Sequence, residues 1–93
     1  MTPPKSEIWK FPLTDVISTL SIPTGAVLRH FDMQHGTNAC VWAQVDPDAP
    51  KESRFFRIVG TGHPIPEPDK HVYVGTALQQ QGRFVWHLFE VTR

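Results

Sequence analysis

The residues that could carry chemistry in this 93-residue chain are concentrated in one stretch, GTGHPIPEPDKHVYVGT, from Gly60 to Thr76. Gly60 and Gly62 supply backbone conformations that other residues adopt only at a cost, and paired glycines let main-chain N–H groups converge on an anion. The side chains of Thr61, His63 and Thr76 would add further hydrogen-bond donors. The stretch therefore predicts a binding site for a small anion.

The positive charge for such an anion is expected from Arg57, which precedes the loop. Pro64, Pro66 and Pro68 predict an extended, polyproline-like rod, and a rigid loop loses little entropy when it binds a ligand or partner. The alternative is a stiff crossover that only caps one end of a sheet. The predicted ligand-binding residues are Arg57, Gly60, Thr61, Gly62, His63 and Thr76.

Other chemistries have weaker support in the sequence. The five histidines and the single Cys40 form no Cys-x-x-Cys or His-x-x-x-His pair, so no metal site and no cofactor are predicted. Cys40 lies in an apolar run and is expected in the core. His87 is expected to be a hydrogen-bonded, partly buried ring. No catalytic residue is assigned, and a hydrolase with His63 or His87 as base is the weakest hypothesis.

Arginines lie among aromatic residues at several places in the chain. Arg29, Arg57 and Arg83 all have phenylalanine neighbours. An arginine on an aromatic ring can hold a nucleobase or a phosphate, and it can equally cover the solvent face of a sheet. Glu90 is expected to have a cross-strand arginine partner, either Arg54 or Arg57.

The elements that position these residues are strands, because apolar residues alternate with a period of two. Glycine- and proline-containing turns separate the runs, which is typical of consecutive hairpins. The predicted fold is all-β, a small antiparallel sandwich or barrel of six or seven strands. The strands are expected near residues 7–11, 16–22, 26–34, 39–45, 53–60, 71–79 and 83–91.

The segment FVWHLFE, from Phe84 to Glu90, is apolar on both faces. It is therefore predicted to be a central strand that is covered on two sides. Trp86 and Trp42, on strands of this character, are expected in the core.

Composition limits the classes of function. A flexible tail is expected at residues 1–6 and a single β domain at residues 7–93. Nine basic residues balance nine acidic ones, so general binding to duplex nucleic acid is not expected. Zero net charge and open sheet edges favour a homo-oligomer. One cysteine, no signal segment and no membrane span indicate a cytoplasmic protein.

Five short motifs are distributed over most of the chain: IWKFPL (8–13), VWAQVDP (41–47), GTGHPIP (60–66), YVGT (73–76) and FVWHLFE (84–90). Together they resemble a family of short, uncharacterised proteins from tailed phages and prophages. The resemblance covers residues 8–90 and implies a phage accessory protein in the host cytoplasm, but it transfers no catalytic or binding residue.

Two non-enzymatic functions are compatible with this sequence. The first is a counter-defence binding protein, an oligomeric sponge that sequesters a small anionic or nucleotide signal. The alternative is a protein-interaction module that inhibits a host defence protein through an exposed aromatic or edge-strand surface. The first needs the Gly-Thr-Gly-His loop to line a pocket, whereas the second needs only an exposed surface.

Overall fold

The computed structural model describes residues 5–92 and contains seven strands, as the period-two pattern predicts. Each observed strand begins and ends within two residues of its predicted bounds, and the described residues include no α-helix. The strands are β1 (Glu7–Pro12), β2 (Ile17–Pro23), β3 (Val27–Gln34), β4 (Asn38–Val45), β5 (Lys51–Gly60), β6 (His71–Gln79) and β7 (Phe84–Val91), with one 3₁₀ turn at Pro68–Lys70.

The strands form two antiparallel sheets, which confirms the small all-β sandwich. One sheet has the order β1-β4-β3, and the other has the order β2-β5-β7-β6. Strands β3 and β6 come closest where Gly75 faces Phe31: a Cβ built on Gly75 would lie 3.2 Å from the Phe31 Cβ. Glycine at this position therefore allows the two sheets to approach along the β3–β6 side.

The core lies between the sheets, where one face of each strand is apolar. Phe31 and Val41 of the first sheet and Phe56 and Leu88 of the second are fully or almost fully buried. Cys40 is buried too, as expected for a small apolar residue, but on the face of β4 opposite to Val41, where its Sγ lies 3.9 Å from Gln34 Oε1. Burial of such side chains is the main force that holds two thin sheets together.

Strand β7 is an interior strand, as predicted, but only one of its faces is covered by the other sheet. Leu88 is fully buried on the inner face, whereas Phe89 on the outer face is half-buried. Trp86 packs at the margin of the core. The expectation that Trp42 is a core residue is wrong, because its ring stacks with His30, 5.6 Å between centroids, outside the core cluster.

A half-buried ion pair joins the neighbouring strands β5 and β7 of the four-stranded sheet and reaches the residue before β3. The Arg54 Nε donates to Glu90 Oε2 at 2.6 Å and its Nη2 donates to Glu90 Oε1 at 2.7 Å, while Nη1 donates to the main-chain oxygen of Ala26 at 2.7 Å. Of the two partners expected for Glu90, Arg54 is therefore the one observed. The hydrogen bond to Glu90 raises the pKa of Arg54, and burial opposes that rise.

The predicted flexible tail lies mostly outside the described residues, which exclude residues 1–4. Lys5 and Ser6 precede the first strand: Lys5 pairs with Asp48 at 3.4 Å, and the Ser6 hydroxyl accepts a hydrogen bond from Gln44 at 2.6 Å. Within residues 5–92 there is no helix whose length and apolarity would let it cross a membrane.

Candidate functional site

A tight turn at residues 60–63 follows β5 and forms the centre of the candidate site. The His63 N–H donates to the Gly60 oxygen at 3.0 Å. Gly62 has a φ of +87°, which confirms the need for glycine at that position. Gly60 is required for a different reason from the one predicted: its Cβ would lie 3.0 Å from His63 Nδ1 and 3.2 Å from Trp86 Cζ3.

The main-chain N–H groups of this turn are largely used within the protein. Thr61 donates to the Val85 oxygen at 3.2 Å, and His63 donates to Gly60. Of the three N–H groups at residues 61–63, only that of Gly62 has no partner in the described chain. An anion at this turn would therefore depend mainly on side chains.

The prediction of an extended rod through the three prolines is wrong beyond Pro66. Glu67 adopts a left-handed conformation, with φ 45° and ψ 64°, and Pro68 then begins the 3₁₀ turn. Proline fixes only its own φ, and the residue before a proline is biased toward extended backbone, so the left-handed conformation of Glu67 is what reverses the chain. The loop consequently folds back toward its own sheet, and Ile65 of the loop and Val59 of β5 line one cleft between them.

A chain of hydrogen bonds joins Thr61 and Thr76 through His87, a residue absent from the predicted binding set. Thr61 Oγ1 lies 2.8 Å from His87 Nε2, and Thr76 Oγ1 lies 2.9 Å from His87 Nδ1. The Tyr73 hydroxyl lies 2.5 Å from Thr76 Oγ1. His87 is thus a hydrogen-bonded, partly buried ring, as expected, and both threonine hydroxyls are already engaged.

The direction of this chain follows from the Thr61 hydroxyl, which also donates to the Val85 oxygen at 3.4 Å. Because a hydroxyl has one hydrogen, Thr61 then accepts from the Nε2–H of a neutral His87, and Thr76 donates to Nδ1. A threonine therefore occupies the place beside His87 that a carboxylate takes in a catalytic triad. This arrangement fastens the turn to β7 and lacks the charge that would stabilise an imidazolium.

Arg57 does not line the turn, although it lies only three residues before Gly60. Its Nε donates to His71 Nε2 at 3.1 Å, and His71 Nδ1 donates to the Glu67 oxygen at 3.0 Å. Three residues of extended strand cover about 10 Å, which places the Arg57 guanidinium over another part of the sheet. The cation that the structure brings to the turn is Arg83 instead.

The groove beside the turn, here called the tip groove, has a volume of about 390 Å³. The rings of Phe84 and Trp86 stack there with centroids 6.1 Å apart and planes at 19°. The Arg83 guanidinium carbon lies 5.8 Å from the Phe84 centroid. The groove is lined by Gly60, Thr61, His63, Arg83, Phe84, Val85 and Trp86.

The electrostatics of the tip groove favour an anion. No carboxylate lines it, and Arg83 has no carboxylate partner in the described chain. Phe84 is 41% exposed, so its ring is accessible from the groove. Arg83, Phe84 and Trp86 were not in the predicted binding set. The signal that could have found them is the sequence RFVW directly after the Gly82 turn. In a strand, Phe84 and Trp86 lie on one face, and Arg83 comes directly before them.

A second cleft, of about 290 Å³, lies on the other side of the same turn. It shares Gly60, Thr61 and His63 with the tip groove, and residues 59–63, Ile65, His87 and Phe89 line it. No arginine or lysine lines this cleft, and its threonine and His87 are bonded to each other. It is therefore the less suitable of the two for an anion.

Among residues 5–92, no group of three His, Cys, Asp or Glu side chains is arranged to hold a metal ion. The comparisons with known proteins give a family but no activity. The model of one family, described as a domain of unknown function (DUF7352), matches residues 4–93, so the chain belongs to this family. No curated protein and no solved structure matches the chain.

Proposed function

We propose that this member of the family is a non-enzymatic binding protein, and that its tip groove takes a small anionic ligand with an aromatic ring, such as a nucleotide. The observation that carries the proposal is the combination of Arg83, without a carboxylate partner, and the accessible Phe84 ring in one groove that no carboxylate lines. A cation next to a ring suits a phosphate next to a base.

The geometry assigns a role to each side of the groove. The Phe84–Trp86 stack offers an aromatic surface on which a planar base can lie. Arg83 offers a fork of N–H donors that matches a phosphate, and His63, whose side chain has no hydrogen-bond partner in the described chain, offers one more.

The hydrogen-bond partners of His87 and His63 favour a binding role over a hydrolytic one. Both ring nitrogens of His87 are bonded to threonine hydroxyls. His63 has no nucleophile or carboxylate bonded to it. The counter-defence role, a sponge for a host nucleotide signal, is supported only by the resemblance to phage proteins and is part of the proposal on that ground.

The test is a thermal-shift screen with nucleoside mono-, di- and triphosphates, cyclic dinucleotides and inorganic phosphate. A ligand that binds only the native state raises the unfolding free energy by about 2.7 kcal/mol at about a hundredfold excess over Kd. Arg83→Gln and Phe84→Leu are expected to fold normally and to lose the shift. Inorganic phosphate alone is expected to stabilise the protein less than a nucleotide, because it cannot use the rings.

The matched control is Arg29→Gln, which removes the same charge from the other sheet. It is expected to keep the full thermal shift. A loss of the shift with Arg57→Gln and not with Arg83→Gln would show that the ligand binds near Arg57, as predicted from the sequence. If no member of the panel stabilises the parent protein, the tip groove is not a nucleotide site.

The alternative, inhibition of a host protein by surface contact, is favoured by one observation on β2. This strand is a free edge of the four-stranded sheet, it carries no charged residue, and Val16 and Ile17 at its start are more than half exposed. An uncharged edge can pair with a strand of a partner. Thr19→Pro would remove a donor from that edge and is expected to abolish such a contact while leaving nucleotide binding unchanged.

A further inference from the structure

We infer that the outer face of the four-stranded sheet is a stacking platform for single-stranded nucleic acid. The platform consists of Arg57, His71, Tyr73 and Phe89, which lie on the side of the sheet opposite the core. This inference is independent of the tip groove, whose rings belong to the inner face of β7.

The register places these side chains in neighbouring rows. Ile17, Arg57, Phe89 and Tyr73 are consecutive cross-strand partners, so one row runs across all four strands. His71 pairs with Val91 in the next row. Because directly opposite residues in an antiparallel sheet share a face, these side chains are neighbours on the solvent side.

The rings hold one another in place. Phe89 makes edge-on contacts with His71, at 6.0 Å between centroids, and with Tyr73, at 5.8 Å. The Tyr73 hydroxyl is held by Thr76, and the residue is 58% exposed. A fixed ring with an open surface can accept a base without losing much side-chain entropy, which is how single-strand binding proteins use aromatic residues.

Arg57 supplies the charge for a phosphate. Its side chain reaches across β7 to His71, about two strand spacings or 10 Å away, and only its Nε is used, in the bond to His71 Nε2. Neither terminal nitrogen of Arg57 has a partner in the described chain. The guanidinium is therefore fixed in orientation, with both terminal NH₂ groups open to a ligand beside the Phe89 ring.

No carboxylate opposes this charge on the same face. The four strands contain two acidic residues, Glu52 and Glu90, whose cross-strand partners Ile22 and Phe56 are fully buried on the inner face. Glu67, in the loop beside His71, pairs with Lys70 at 3.3 Å. On the four strands, an anionic partner therefore meets a cation and rings on the outer face, and both strand carboxylates lie on the inner face.

The chemistry selects a single strand rather than a duplex. Stacking needs base faces, which are covered in a duplex, and the chain has no basic run to follow two phosphate backbones. One arginine implies a weak salt dependence, with a slope near 0.7 for each phosphate neutralised on a single strand.

The experiment uses the only tyrosine of the chain as a reporter. Biosynthetic incorporation of 3-fluorotyrosine labels position 73 alone, and fluorine NMR then follows titration with a short oligothymidylate. We expect the Tyr73 signal to shift with the single strand and to stay unchanged with the matching duplex. An unchanged signal with the single strand, or an equal shift with the duplex, would overturn the inference.

Fluorescence anisotropy with a labelled oligothymidylate supplies the second readout. Tyr73→Leu is expected to weaken binding by about five- to a hundredfold, the range for loss of one stacked base, whereas Tyr73→Phe keeps the ring and the affinity. Arg57→Gln is expected to lower the salt slope by about 0.7. Leu78→Ala, an exposed apolar change on the same strand, and Arg29→Gln, on the other sheet, are the matched controls.

Two outcomes would reassign the surface. Binding that survives Tyr73→Leu and is lost with Arg83→Gln would place the oligonucleotide in the tip groove instead. Absence of binding in the parent protein, with concentration-dependent broadening of the Tyr73 fluorine signal, would show that the face is covered by a second copy of the chain.

Discussion

Removing the charge of Glu90 is expected to destabilise the protein more than any change at its surface ion pairs. The Arg54 and Glu90 side chains are only 17% and 22% exposed, and two short hydrogen bonds join them. Breaking a fully buried pair costs about 3–5 kcal/mol. Since about a fifth of each side chain reaches water, we expect Glu90→Gln to cost about 2–3 kcal/mol of unfolding free energy.

The assay is thermal and urea unfolding of Glu90→Gln, Arg54→Met, and the double variant Arg54→Met/Glu90→Met. For a domain of this size, about 2–3 kcal/mol lowers Tm by about 10–20 °C. The double variant is expected to lose less than the sum of the single changes, because no unpaired charge is left between the sheets.

The control is Lys70→Met, which removes the exposed i,i+3 pair with Glu67 and is expected to cost less than about 1 kcal/mol. Glu90→Gln with a Tm equal to that of Lys70→Met would refute the reasoning, because it would show that water screens the Arg54–Glu90 pair fully. Additive single and double variants would show that the two side chains do not act as a pair.

Three other predictions follow from described contacts. The hydrogen bond to Glu90 raises the pKa of Arg54 above its ordinary value, so the stability that Arg54 contributes is complete below that ordinary value and is lost only as pH rises through the higher folded pKa. The Tm difference between Arg54→Met and the parent protein should therefore be constant from pH 7 to pH 10 in melting experiments. Gly60→Ala should lower the free energy of unfolding by about 1–3 kcal/mol, because its Cβ displaces His63 and Trp86. Chemical denaturation measures this loss, and the comparison is Gly36→Ala, at a left-handed position with no atom near the new Cβ. The chain has zero net charge and β2 is an uncharged free edge of its sheet, so light scattering should show a homo-oligomer, most simply a dimer; a 10.6 kDa species at every concentration would contradict this.

The strands and the fold class could be predicted because period-two alternation and turn residues are local signals. The faces were harder to assign. Arg54 and Arg57 lie on opposite faces of β5, and the sequence does not say which face meets the other sheet, so both stayed candidates for Glu90. Phe56 is buried on the inner face and is the cross-strand partner of Glu90, so Glu90 lies on the same face as Arg54. Which face is buried depends on contacts between residues that are far apart in the sequence.

The site could be predicted only in part, because its residues come from distant segments. The tip groove exists since Gly60 pairs with Trp86 in the β5–β7 register, which brings the 60–63 turn beside Arg83 and Phe84. Sequence proximity pointed to Arg57 instead. Thr61 and Thr76 were expected to offer hydroxyl donors to an anion, but both hydroxyls are bonded to His87 between them, which the sequence does not reveal.

The most direct test of the central claim is native mass spectrometry of the parent protein, Arg83→Gln and the control Arg29→Gln, each mixed with the same nucleotide panel. The proposal predicts that the parent and Arg29→Gln retain one nucleotide per chain and that Arg83→Gln retains none. It is contradicted if the parent retains no member of the panel, or if Arg83→Gln retains the same nucleotide to the same extent.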